Sequence, residues 1–104
     1  MQIQVNANHH VPGGSSLVSH VENVVKHVLD HYKDEVTRVE VHLSDENSHK
    51  GGEHDMRCMI EARIRGLDPI AVTHHGENMN MAIEGAADRI ERAVRKTVDK
   101  RREH

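Results

Sequence analysis

Met56, Cys58, Ile60, Ala62 and Ile64 alternate without a break with Arg57, Met59, Glu61, Arg63 and Arg65. A period of two over so long a run predicts a strand with one dry face and one wet face. Three arginines on the wet face resist being covered, so helices can pack on one side of the sheet only. Three shorter runs share the period: Ile3, Val5 and Ala7; Val39, Val41 and Leu43; and Ile70, Val72 and His74.

Between these runs the period changes to that of a helix. Leu17, Val21, Val24, Val25, Val28 and Tyr32 recur at helical spacing behind Ser15 or Ser16 as the cap, and this helix is expected to end near Asp34. Asn78 can cap a second helix running to about Arg101, with Met79, Ala82, Ile83, Ala86, Ile90, Ala93, Val94 and Thr97 on its apolar side. Pro12-Gly13-Gly14, the polar stretch Asp45 to Gly52 and the tight Gly66–Pro69 segment punctuate the elements. The predicted fold is α+β, ordered β-α-β-β-β-α, a four-stranded mixed sheet with two helices packed on one face. No repeat or linker interrupts it, so residues 1–104 read as one domain.

Composition then excludes functions. Aromatic residues make up 1% of the chain, Tyr32 alone, so base stacking has no platform and any nucleic-acid contact must run through phosphate, sugar or shape. Cys58 is the only cysteine. It falls on the apolar side of its strand, reads as a small hydrophobe, and can form no intramolecular disulfide. The turns Pro12-Gly13-Gly14 and Gly51-Gly52 lack phosphate-loop patterns, and a Cys-His nucleophile would need Cys58 exposed, so no enzyme activity is expected. The start of the chain lacks the regions of a signal peptide and no apolar run reaches membrane-spanning length, so the expected location is the cytoplasm, with no membrane partner.

Charge is unevenly placed. The net charge is −3, yet residues 89 to 102 carry seven basic side chains (Arg89, Arg92, Arg95, Lys96, Lys100, Arg101, Arg102) against Glu91 and Asp99. A basic end on an acidic body points to an oriented contact with an anionic partner. Arg89, Arg92 and Lys96 fall on one stripe, which Lys100, Arg101 and Arg102 are expected to extend, giving a phosphate-contacting helix. The competing reading is structural: cations complement a helix C-terminus, and Asp88 with Arg92 and Glu91 with Arg95 are i,i+4 pairs. Eleven histidines are present, and His27 and His31 share a face. No third or fourth convergent ligand accompanies them, so neither a metal nor any other cofactor is expected.

The element order, the start Met1-Gln2-Ile3-Gln4-Val5 leading to His9-His10, and the run Asn78-Met79-Asn80-Met81-Ala82-Ile83-Glu84 through Asp88-Arg89-Ile90-Glu91-Arg92 to Arg95-Lys96 resemble the ribosome hibernation promoting factor family. This family is also known as ribosome-associated inhibitor A or sigma-54 modulation proteins. The resemblance spans nearly the whole chain. It implies a fold similar to double-stranded RNA-binding domains, in the family's short form without a dimerisation domain. It also implies binding to the small ribosomal subunit through 16S rRNA, not DNA, to silence translation in stationary phase or stress. The positions it assigns to RNA are Arg89, Arg92, Lys96 and Lys100, with Lys26 and Lys33 on the first helix. That helix sets its two lysines among Glu22, Asp30 and Asp34, and the second helix has Asn80 where the family places a tyrosine. A second reading therefore stands beside the first, a divergent paralogue serving as a protein interaction module without ribosome binding.

Overall fold

The computed structural model describes residues 1–8, 11, 14–46 and 55–102. Its elements run β1 (Gln2–Ala7), α1 (Gly14–Val28), a 3-10 turn (Asp30–Tyr32), β2 (Val36–Asp45), β3 (Met56–Ile64), β4 (Ile70–Gly76) and α2 (Met79–Arg102). The sheet order is β1-β2-β3-β4, with β1 parallel to β2 and the other two pairings antiparallel. This is the expected β-α-β-β-β-α order and mixed sheet. The helix between β1 and β2 follows from their parallel pairing, which no hairpin can join. His9-His10, Pro12-Gly13 and the stretch from Asn47 to Gly52 lie outside the described residues.

The core forms where the apolar faces of the sheet and helices meet. Val39, Val41 and Leu43 of β2 and Cys58, Ile60, Ala62 and Ile64 of β3 are fully or almost fully buried. α1 contributes Val21 and Val25, and α2 contributes Ala82, Ile83, Ala86, Ala87, Ile90, Val94 and Val98. Each buried valine or isoleucine is worth about 1.5–3 kcal/mol relative to an exposed one. No polar or charged residue is buried among the described residues, so this core is held by aliphatic packing without an internal ionic network. Ala7, placed on the apolar side of β1 by its alternation, is exposed.

Three boundaries depart from the sequence reading. α1 stops at Val28, and the chain tightens: the Tyr32 amide donates to the Leu29 carbonyl at 2.9 Å. Leu29 and Tyr32 are both buried, and an i,i+3 pair meets on one side of a 3-10 turn, which also swings the chain into β2. Gly14 already belongs to α1, so Ser15 and Ser16 sit in its first turn rather than before it. β2 opens at Val36, with an irregularity between Val36 and Arg38 that hid its early start from a strict alternation. The β3–β4 turn forms as expected, with Gly66 at a φ of 78° that suits glycine and the Leu67 amide bonded to the Ile64 carbonyl at 2.9 Å.

Candidate nucleic-acid interface

Asn78 starts the helix that carries the basic residues. Its Oδ1 accepts the Met81 amide at 2.9 Å, capping one of the unpaired donors of the first turn. From there α2 runs 24 residues and ends on Lys100, Arg101 and Arg102, cations that complement the helix dipole. Its buried side includes Ala87 and Val98 besides the expected positions, while Ala93 and Thr97 are only half-buried. The helix is thus rolled towards α1. Asn80 meets His20 of α1 at 3.2 Å, and Glu84 and Ala87 line a groove together with Val24 and Val28.

On the opposite flank Arg89, Arg92, Lys96 and Lys100 follow one another at i, i+3, i+7 and i+11, all exposed. Lys100 stands beside Leu67 of the β3–β4 turn, which fixes this flank as the one away from α1. The stripe spans about 16 Å of helix axis. Among the described residues Arg89, Lys96 and Lys100 enter no ion pair, and Arg92 is held by Asp88 at 3.0 Å. Both side chains of that pair are largely exposed. Such an i,i+4 pair is worth about 0.3–0.5 kcal/mol and exchanges readily for another anion.

The other candidates are not on the stripe. Arg95 lies on the α1 side and pairs with Glu91 at 3.4 Å. Arg101 and Arg102 do not extend the stripe, because both turn back onto the body. Arg101 donates to the Arg65 carbonyl at 2.6 Å, and Arg102 forms a hydrogen-bonded ion pair with Glu35 at the entrance to β2. The Glu35 hydrogen bond, with its charge, holds the Arg102 guanidinium above its already high ordinary pKa. These acceptors are 36 and 67 residues away in sequence, so no local pattern could have revealed them. Lys26 and Lys33 are exposed near the end of α1 and just beyond the 3-10 turn, apart from the stripe.

The wet face of the sheet is self-neutralised by comparison. Arg38 pairs with Glu40 at 2.8 Å and donates to Gln4, Arg57 faces Glu46 at 3.6 Å, and Arg63 faces Glu61 at 3.8 Å. Cys58 and His74 are cross-strand partners on the inner face. Burial pushes the Cys58 thiol up to about 12, against a smaller downward pull from Arg57, so the thiolate needed for nucleophilic chemistry is strongly disfavoured. No helix is long and apolar enough to cross a membrane among the described residues.

Residues 3–102 match the family described as Sigma 54 modulation protein / S30EA ribosomal protein. The chain belongs to this family. The resemblance read from the first strand and the last helix is thereby borne out, and the family is ribosome-associated rather than one of enzymes. Two solved structures share the fold. The N-terminal domain of Protein Y from Thermus thermophilus superposes with a TM-score of 0.76 at 22% identity, covering 93% of this chain and 99% of that one. A ribosomal subunit interface protein from Coxiella burnetii does so with a TM-score of 0.76 at 14% identity, covering 95% and 99%. No curated protein matches the chain.

Proposed function

We propose that this S30EA-family chain is a cytoplasmic factor that docks on the 16S rRNA of the small ribosomal subunit and silences translation under stress or in stationary phase. The observation that carries the reading is the stripe Arg89, Arg92, Lys96 and Lys100, four exposed cations on one helix flank with a single weak ion pair among them. Exposed cations at this spacing suit a phosphate backbone, and a chain whose single aromatic residue, Tyr32, is buried suits recognition by charge and shape rather than by base stacking. Lys26 and Lys33 serve as separate, secondary contacts. Arg95, Arg101 and Arg102 add to the field of the helix end while their donors hold Glu91, the Arg65 carbonyl and Glu35.

The salt dependence of binding to purified small subunits tests this reading. Each neutralised phosphate contributes about 0.7–0.9 to the slope of log affinity against log salt, so four contacts give a slope near −3. A flat dependence, or equal affinity for duplex DNA of matched length, overturns it.

A further inference from the structure

The groove between α1 and α2 has a chemistry of its own. Val24 and Val28 of α1 and Ala87 of α2 line it with apolar surface, and Met81 stands on its lip. Met81 is 49% exposed, one of three large hydrophobic side chains in that state among the described residues. The groove is open to solvent and offers about 500 Å³ of space. Its polar lining is His74 of β4 together with two carboxylates, Glu84 and Asp88. Among the described residues Glu84 meets only the Asn80 amide, at 3.4 Å, and Asp88 holds Arg92 in a solvent-exposed i,i+4 pair that another cation can replace at little cost. The three unpaired cations of α2 stand on the opposite flank, and His20 at the head of the groove is engaged with Asn80.

Phosphate is repelled by such a rim, whereas a segment with an apolar side and a cationic side complements both parts of it. We propose that this groove is a docking site for a lysine- or arginine-rich amphipathic segment of a partner protein, its apolar side chains lying on Val24, Val28 and Met81 and its cations pairing with Glu84 and Asp88. The site is independent of the rRNA reading. It gives the chain two faces of opposite preference, a basic stripe towards nucleic acid and an acidic-rimmed apolar groove towards protein.

Fluorescence anisotropy with a labelled 14-residue amphipathic peptide of lysine and leucine tests the proposal, beside its glutamate-for-lysine counterpart and a 12-nucleotide RNA. The lysine peptide is expected to bind saturably and one to one, and the glutamate peptide and the RNA to leave the groove empty. Glu84→Lys with Asp88→Lys weakens peptide binding at least tenfold, and Met81→Ser weakens it several-fold. The matched charge reversal Asp34→Lys with Asp68→Lys, at exposed sites off the groove, changes it less than twofold. Backbone amide shifts in the unsubstituted protein are expected to centre on Val24, Val28 and Gly85. Equal losses from the two charge reversals, shifts centred elsewhere, absence of saturable binding, or RNA perturbing the same amides would each overturn the proposal. Small-subunit binding measured on the Met81→Ser variant separates this result from the rRNA reading, since that substitution changes no charge and leaves the stripe and its Asp88–Arg92 pair intact.

Discussion

A β-carbon placed on Gly85 would lie 2.0 Å from Cδ2 of the His74 ring. The glycine is therefore a packing device: it lets α2 settle over the inward-facing histidine of edge strand β4, near the register partner of that histidine, Cys58. Mid-helix glycine costs about 0.5–1 kcal/mol relative to alanine, so a steric reason must stand behind it here. Gly85→Ala is expected to lower stability despite its better helix propensity, because the ring must leave its place. In a His74→Ala background the same substitution raises stability by up to about 1 kcal/mol. Urea denaturation of the four proteins of this cycle checks the reversal of sign, and additive effects would contradict the contact.

The start of α2 rests on a single cap. Asn78→Ala removes the acceptor of the Met81 amide and is expected to cost about 1 kcal/mol, while Asn78→Asp or Asn78→Ser retains most of it. Thermal melts of the three variants give the comparison. Equal stability of Asn78→Ala and the parent chain would mean that the first turn finds another acceptor.

Cys58 links stability to alkaline pH. Its thiol keeps its proton to about 12 in the folded chain, against an ordinary value of 9.0 once burial is lost. Between those two values the unfolded chain binds fewer protons, so stability is undiminished below about pH 9 and falls as pH rises, by at most about 1.4 kcal/mol per unit. Cys58→Ala removes this contribution. The drop in urea midpoint from pH 8 to pH 10.5 is expected to be smaller in the variant than in the parent chain, and an identical drop would contradict the assignment.

The strands were legible because β2 from Val39 to Leu43 and β3 from Cys58 to Ile64 bury every second residue. The end of α1 was not, since Val28 and Tyr32 keep helical spacing while the burial of Leu29 demands a tighter turn. The roll of α2 towards α1, which buries Ala87 and Val98, comes from a neighbouring helix that no window of the α2 sequence contains. The stripe itself was readable as far as Lys100. Arg101 and Arg102 looked like its continuation because charge and spacing carry no information about a carbonyl on Arg65 or a carboxylate on Glu35 waiting behind them.

The central claim is that the flank of α2, and not its terminal arginines, meets the ribosome. Co-sedimentation of the purified protein with small ribosomal subunits through a sucrose gradient at physiological salt tests it most directly. The comparison sets Arg89→Ala/Lys96→Ala/Lys100→Ala beside Arg101→Ala/Arg102→Ala. The account predicts that the parent chain and the terminal double variant travel with the subunit and that the flank triple variant stays at the top of the gradient. Retention of the triple variant on the subunit, or failure of the parent chain to bind even at low salt, would contradict it.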